Sequence, residues 1–442
     1  MRSESLKRSL SVCARSSEVL KLLLPTVEIL SLDLTSEFCE AIIPVLPTSA
    51  PRLNALEIKG SPSMTNKNLS EIKSLLISYP HGLTELSLIC QRHDIPSTVL
   101  NIIAPWPSLR SLTLKLGLKS IPTAPLHNLQ PFAALAHLHI LFDNTLDRFI
   151  SFLRAFQILN FNSSNNHSIT SSNLNTIQFN VGGCSSANTW SEFLPSLLHT
   201  NTKLEHLIIN ETCNYQCLPP SSFDFRPIVM HPSLAHISTL RLSPGRTISI
   251  MLTDSDILTL ARRCPHLHIL DLGLRSTPVS LYALNVLVRR CRELSEVTLC
   301  MDVQVDALRD DEKPEDEIGL QPNTHLTKLE IGDSPVVYAG SLRSSPELTM
   351  SIPQFLHAMA PRLKSVKDGA WSNGTYESPW KVVSYALQMM VTEEGGVISD
   401  RKPHPLDPQI SKRRRHRHRV TGAALEKSNE EGLSDSYSMS TS

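Results

Sequence analysis

The chain has 442 residues, a length that predicts either two or three ordinary domains or one long repeat array. Its 42 Lys and Arg balance its 42 Asp and Glu, so the net charge gives no reason to expect a polyanion partner. The sequence contains no apolar run near the roughly 18 residues of a membrane span. Its nine cysteines, an odd number with no CxxC pair, favour reduced thiols over a disulfide framework or a zinc site. We therefore expect the nucleus or the cytoplasm, and no membrane partner.

Residues 1–18 are rich in Arg and Ser, and we interpret them as an N-terminal extension. Glu4 and Glu18 argue against a mitochondrial presequence, in which acidic residues are rare. From residue 19 onward, the pattern L-x-x-[LIV]-x-[LIF] returns at spacings of 26 to 39 residues. Twelve copies begin at Val27, Leu53, Leu83, Leu109, Leu135, Leu174, Leu204, Ile237, Leu267, Leu294, Leu326 and Leu363. Such a period predicts a stacked-repeat solenoid, here over residues 19–391.

Helical segments are predicted between the strands. In "DSDILTLARRC", which ends at Cys264, apolar residues recur at i, i+3, i+4 and i+7, and the pattern returns 27 residues later in the segment that ends at Cys291. Both cysteines are therefore expected to be small buried apolar residues at helix ends. Each unit is a short strand, a turn and a helix. The predicted fold class is α/β, with a curved parallel sheet on the concave side and helices on the convex side. Residues 378–391 are predicted to form a capping helix.

Four stretches interrupt the period, at residues 160–173, 211–232, 306–317 and 332–348. All four are compatible with solvated loops at the edges of repeats. For 211–232, a partner contact is the alternative, because three of its aromatic residues have no place in the repeat pattern. These are Tyr215, Phe223 and Phe225.

Residues 392–442 are predicted to be a disordered tail with a basic cluster at 412–419. Six cationic residues in this cluster approximate a nuclear-import signal, namely Lys412, Arg413, Arg414, Arg415, Arg417 and Arg419. Non-specific attraction of polyanions and a merely solvated tail are the alternatives. Residues 401–442 hold nine basic and five acidic residues, which leaves 33 and 37 in the rest and a net charge of −4. Nucleic acid is thus not expected as a partner, except through weak attraction to the tail.

The sequence lacks the common nucleotide, metalloprotease and hydrolase motifs, so we expect neither an enzyme nor a cofactor. Two histidine pairs, His137 with His139 and His266 with His268, each lie on one face of a predicted strand. Such a pair could hold a metal, but no third ligand has a predictable position, and solvated histidines are the simpler interpretation. We predict no metal site.

The fifth position of each repeat should face the open side of the sheet, because side chains alternate along a strand. This row begins with Ser31, Glu57 and Ser87, ends with Lys367, and is polar with mixed charges. We predict that a protein target binds along its central part, which comprises Thr113, His139, Gln178, Ile208, Arg241, Asp271, Thr298 and Glu330. The alternative is that these residues serve only solubility.

The two segments "RRCPHLHILDL" (262–272) and "RRCRELSEVTL" (289–299) resemble the cysteine-containing repeats of F-box/leucine-rich-repeat proteins, and the irregular spacing is similar to that of fungal members. The resemblance implies a solenoid that recognises a target protein, and an F-box that docks the adaptor of a cullin-type ubiquitin ligase. Leu22–Leu32 is similar to the start of an F-box, but Val27 breaks its register, so we expect no intact F-box. The expected function is substrate recognition for such a ligase. A ligase-independent scaffold, with the basic tail as an import signal, is the alternative.

Overall fold

The computed structural model describes residues 9–13, 26–34, 42–60, 65–79, 81–90, 94–117, 132–155, 173–212, 219–302, 321–332, 346–367 and 379–394. The chain divides into two units, Met1–Val391 and Thr392–Ser442, and the architecture below is that of the first. Its strands are β1 Ser9–Cys13, β2 Ile29–Leu34, β3 Ala55–Gly60, β4 Glu85–Cys90, β5 Ser111–Leu116, β6 His137–Phe142, β7 Thr176–Val181, β8 His206–Glu211, β9 Ser221–Asp224, β10 Thr239–Ser243, β11 Ile248–Met251, β12 Ile269–Asp271, β13 Val279–Ser280, β14 Glu296–Thr298, β15 Met301–Asp302, β16 Lys328–Glu330 and β17 Val366–Lys367.

Helices lie between the strands along most of the chain. They are α1 Leu46–Ser49, α2 Asn66–Ile77, α3 Ser97–Ile103, α4 Leu146–Ala155, α5 Ala187–Thr200, α6 Arg226–Val229, α7 Asp254–Arg263, α8 Leu281–Arg290, α9 Pro346–Met359 and α10 Pro379–Glu394. Short 3-10 turns occur at Ile43–Val45 and Pro232–His236. Polar residues start several helices: the Thr253 side chain accepts a hydrogen bond from the Asp256 N–H while Asp256 bonds back, and Thr65 and Asn68 form the same box before α2.

Thirteen strands form one sheet in chain order, from β1 to β8 and then β10, β12, β14, β16 and β17. The recorded pairings are all parallel, and each strand lies beside the one from the next repeat. The apolar anchors face the helices; Leu56 and Ile58, for example, are 2% and 0% exposed, while Glu57 between them is half-buried. One continuous apolar core runs from Val27 to Leu387. Burial of each Leu stabilises the array by about 1.5–3 kcal/mol, so the core holds the stack together.

The predicted fold class is confirmed: this is a leucine-rich-repeat-like α/β solenoid. Neighbouring strands are about 4.8 Å apart, whereas the axes of packed helices are about 8–10 Å apart. The helix layer therefore needs more length per repeat, and the sheet lies on the inner, concave side. The helix α10 packs Trp380, Val383 and Leu387 into the core at the C-terminal end. The Ser384 hydroxyl donates to the Val366 carbonyl and accepts from the Val366 N–H, so α10 caps the last strand.

The solenoid begins earlier than the predicted residue 19, because β1 already pairs with β2. The register places Leu10 opposite Leu30 and Val12 opposite Leu32, so β1 continues the sheet beyond the first predicted repeat. The segment similar to an F-box opening runs directly into β2 of the sheet, and its residues Ile29, Leu30 and Leu32 pair with β3.

The partner-contact interpretation of 211–232 is wrong for Phe223 and Phe225, which are 1% and 0% exposed. Phe223 lies in β9, which pairs in parallel with β11 to form a second, small sheet, and its ring stacks on Trp190 at 5.8 Å. A third small sheet joins β13 and β15. The insertion thus contributes its aromatics to the core, and Tyr215 lies outside the described residues.

Four successive turns on the solenoid edge are joined by side-chain hydrogen bonds at equivalent positions. The Cys264 thiol donates to the Leu234 carbonyl at 3.2 Å, and the Cys291 thiol to the Cys264 carbonyl at 3.3 Å. The Asn323 amide continues the ladder to the Cys291 carbonyl at 2.9 Å. Burial raises the pKa of both thiols to about 12. The prediction that Cys264 and Cys291 are buried is confirmed, and both thiols are held in the unreactive protonated form.

Cys184 contradicts the prediction that the cysteines are reduced, because it is disulfide-bonded. Its partner is not among the cysteines described as free, Cys90, Cys264, Cys291 and Cys300. Cysteine usage therefore no longer supports the predicted nuclear or cytoplasmic location. Most of the predicted loop 160–173, all of 306–317, residues 333–345 of the loop 332–348, and the basic cluster 412–419 lie outside the described residues, so those predictions stay predictions. The last residues of the loop 332–348 already belong to α9.

Candidate functional site

The predicted row of fifth-position residues lies on one line across the sheet. Strand pairing sets Thr113 opposite His139, His139 opposite Gln178, and Gln178 opposite Ile208. The line continues through Arg241, Asp271, Thr298, Glu330 and Lys367. In the other direction it runs through Ser87, Glu57 and Ser31. We call these twelve residues the concave row.

Most of the concave row is partly accessible from the open face. Its members between Ser31 and Asp271 are half-buried, because neighbouring strands shield them on both sides. Thr298 departs from the prediction, since only 6% of it is exposed and it offers little contact area. Ile208 is the apolar residue of the row and stands at its centre, between Gln178 and Arg241.

Two flanking rows also face the open side, and sequence reasoning missed them by following the fifth position alone. The third and seventh positions have the same parity on the strand, so alternation places their side chains on the same face. His137, Thr176 and His206 hold third positions, and Asn180 and Asn210 hold seventh positions. The open face is therefore three residues wide along its central strands.

Uncharged polar side chains bond to one another in the middle of this face. The Asn180 amide donates to His139 Nε2 at 3.0 Å, and the Asn210 amide donates to the Asn180 Oδ1 atom at 3.0 Å. His137 Nδ1 lies 3.0 Å from the Thr176 hydroxyl. Burial lowers the pKa of His139, which favours the neutral ring that accepts from Asn180. The rotamers of this polar zone are thus set before any ligand arrives.

Charged residues replace this polar zone on β10–β16. We call Arg241, Asp271, Glu296, Lys328 and Glu330 the charged cluster. The Arg241 guanidinium lies 2.9 Å from the Glu296 carboxylate, and the Lys328 ammonium lies 3.5 Å from the same oxygen. Burial raises the pKa of Asp271 and the nearby Glu330 adds to this, although the Gly273 N–H and Arg241 oppose it. Both signs of charge are thus presented side by side.

A smaller ionic group lies near the N-terminal end of the row. The Ser31 hydroxyl donates to the Glu57 carboxylate at 2.5 Å, and Lys59 lies 3.1 Å from the other oxygen. Burial opposes the ionisation of Glu57, but the Ser31 hydrogen bond and Lys59 outweigh it and lower the pKa. This end of the face therefore carries a fixed carboxylate.

The predicted histidine pairs take different environments. His137 and His139 bond to separate β7 side chains, while His266 and His268 lie 3.7 and 3.6 Å from the Glu293 carboxylate near the sheet edge. Among the described residues, no group of three or more His, Cys, Asp or Glu has a metal-binding arrangement. Within the same described ranges, no helix combines the length and apolarity needed to cross a membrane.

Comparison with known proteins adds a structural likeness. No protein-family model matches the chain, and no curated protein matches it. The chain is similar to a chain in the crystal structure of a Rad7 and Elc1 complex in yeast, with 14% identity, a TM-score of 0.42, and coverage of 84% of this chain and 79% of that chain. The fold assignment rests on the strand order and register of this chain, not on that likeness.

Proposed function

We propose that the chain is a protein-interaction module that binds a target protein along the concave row. The observation that carries the proposal is the continuous register of the row across an open sheet face. Each strand contributes one side chain to it, so an extended ligand lying across the strands would meet donors, acceptors and both charges in turn. Ile208 supplies an apolar contact at the centre, where interface energy usually concentrates. We also propose that the chain has no catalytic activity of its own.

The test compares three forms of the full chain by affinity purification from cells and quantitative mass spectrometry. The first is the natural chain, and the second carries Thr113→Arg and Ile208→Arg on the concave row. The control carries Ser74→Arg and Ser255→Arg, which make the same charge change at exposed positions on α2 and α7. A target of the row is retained by the control and lost by the concave variant. If no protein shows that difference, the concave-row proposal is wrong.

We propose, at a finer level, that the target is a substrate of a cullin-type ubiquitin ligase. This rests on the resemblance of the cysteine-containing repeats 262–272 and 289–299 to those of F-box/leucine-rich-repeat proteins. The chemistry would belong to the ligase, and the solenoid would act by holding the target close to it. Recovery of a cullin and its adaptor with the natural chain supports this role. Their absence beside a reproducible target would leave a ligase-independent scaffold.

The scaffold alternative places the chain in the nucleus, with the basic cluster 412–419 as its import signal. The test replaces the six Lys and Arg of that cluster with Ala in a fluorescent fusion of the full chain. Nuclear accumulation that is lost in this variant supports import through the cluster. An unchanged distribution would contradict it.

A further inference from the structure

The turns that precede the strands form one edge of the solenoid, and in the C-terminal half this edge is strongly basic. Six successive turns build it, at residues 199–205, 230–238, 262–268, 289–295, 321–327 and 357–364. They contain eight Lys and Arg, seven of the chain's 17 His, and only two acidic residues, Glu205 and Glu293. We call these six turns the basic edge.

Backbone contacts show that these turns are stacked directly on one another. The Ser238 N–H donates to the Glu205 carbonyl, the His268 N–H to the Ser238 carbonyl, the Ser295 N–H to the His268 carbonyl, and the Thr327 N–H to the Ser295 carbonyl. The sixth turn is joined through the Asn323 N–H, which donates to the Met359 carbonyl. The side-chain hydrogen bonds of Cys264, Cys291 and Asn323 join four of these turns as well. With about 4.8 Å between neighbouring strands, the six turns span about 24 Å. The basic edge is thus a continuous strip on a rigid frame.

The charge is concentrated in this half of the array. Five Lys and Arg of the strip are exposed, namely Lys203, Arg262, Arg292, Arg362 and Lys364. The described turns of the N-terminal half that precede β3 to β7 carry only Arg52, Arg110 and His81 as basic residues. Outside the tail the chain has a net charge of −4, so the strip is a local feature and not a consequence of composition. A positive charge is favourable at a helix C-terminus, which accounts for Arg262 and Arg289. Lys203, Arg292 and Lys364 lie beyond the helices, so this effect does not account for them.

We propose that the basic edge binds an acidic polypeptide segment of a partner protein. An extended segment of about seven residues covers the length of the strip, at about 3.3 Å per residue. A carboxylate is already held by side chains of the edge, because His266 and His268 lie on either side of the Glu293 carboxylate. This surface lies beside the concave row and is separate from it, so the inference goes beyond the function proposed above.

The surroundings favour a polypeptide over a nucleic acid. The six turns contain no Phe, Tyr or Trp on which bases could stack. Carboxylates interrupt the positive charge at fixed points, because Glu205 and Glu293 lie within the strip and Asp271, Glu296 and Glu330 lie on the adjacent open face. A peptide can place its acidic side chains opposite single cations and avoid Glu205 and Glu293. A nucleic acid presents an unbroken row of phosphates, some of which would meet these carboxylates.

The test measures binding of the full chain to a fluorescent peptide of about ten residues with alternating Glu and Ser, by fluorescence anisotropy. A peptide with Gln in place of Glu is the uncharged probe. The edge variant carries Lys203→Glu, Arg292→Glu and Arg362→Glu. The matched control carries Arg52→Glu, Arg110→Glu and Arg148→Glu, three exposed positions outside the basic edge. Circular dichroism establishes that each variant is folded, and Gln at the same three edge positions provides a milder change.

We expect the natural chain to bind the acidic peptide and not the Gln peptide, with affinity about tenfold weaker in the edge variant and nearly unchanged in the control. The Gln substitutions should give an intermediate loss. Binding that all variants retain would place the attraction elsewhere, as in residues 412–419, and would overturn the proposal. Tighter binding of an oligonucleotide, lost in the edge variant, would also overturn it, because the partner class would be wrong.

Discussion

The side chain of Asn323 is 1% exposed and contacts five backbone groups at hydrogen-bond distance. Its two amide N–H groups are shared among the carbonyls of Val288, Cys291 and Leu294, which lie 3.0, 2.9 and 3.2 Å from the nitrogen. Its Oδ1 atom accepts from the N–H groups of His325 and Leu326. One side chain therefore satisfies backbone groups at the end of α8 and in the turn before β16. Asn323 takes the position that a cysteine holds in the two preceding turns.

Replacing Asn323 with Ala should lower the free energy of unfolding by about 2–4 kcal/mol, because it leaves several buried backbone groups without partners. Thr324→Ala, at the exposed neighbour, should change it by less than about 0.5 kcal/mol. Urea denaturation followed by circular dichroism measures both. Equal stability of the two variants would show that the backbone groups find other partners.

The Asp271 carboxylate should lower the stability of the fold at neutral pH, because burial is the main cause that raises its pKa above the ordinary value of an aspartate. Between the two values the folded state binds more protons than the unfolded state, so stability falls as pH rises through this window. Asp271→Asn should therefore raise the melting temperature at pH 7 and leave it nearly unchanged at about pH 3, below the unfolded pKa. A lower melting temperature at pH 7 would mean that attraction to Arg241 outweighs burial. A higher melting temperature of the variant at pH 7 would show that the carboxylate lowers stability, which favours a role for it in binding a partner.

At the scale of single elements, β9 and α6 show how an insertion becomes part of the core. Phe223 and Phe225 are buried, and the Phe223 ring stacks on Trp190. Phe223→Ala should cost about 3–5 kcal/mol in unfolding free energy. The neighbouring Ser222→Ala, at an exposed position of the same strand, is the control and should be nearly neutral. Thermal unfolding distinguishes them, and a neutral Phe223→Ala would restore an interface role for this residue.

The strands and their register could be predicted from the sequence where the anchors are apolar, because period and alternation alone place them. The strands outside the template could not be predicted in this way. β9, β11, β13 and β15 form two small sheets that the repeat pattern does not contain, and β1 precedes its first copy. The concave row was correctly aligned, but its flanking histidines and asparagines were missed, as were the Arg241 to Glu296 pair and the basic edge. These depend on contacts between repeats, which a single-repeat template does not contain.

Across the whole molecule, the composition of the core changes along the array. The central repeats contain most of the buried aromatic residues, whereas leucines fill most of the core on either side. Phe149 of α4 lies 5.3 Å from Phe142 and 5.8 Å from Phe152, measured between ring centroids, and 4.5 Å from Phe179 of the next repeat. Each repeat contacts chiefly its neighbours, so contacts between the central repeats, including these rings, make the two halves unfold together.

Phe149→Ala should therefore do more than lower stability by about 3–5 kcal/mol. Loss of the central contacts should weaken the interface between repeats, so that the two halves unfold at separate urea concentrations instead of together. Hydrogen exchange with mass spectrometry tests this, by comparing peptides from β3–β5 with peptides from β12–β14. Phe149→Leu keeps most of the apolar volume and should preserve a single transition. Coincident exchange of both halves in the Ala variant would show that coupling runs mainly along the sheet hydrogen bonds.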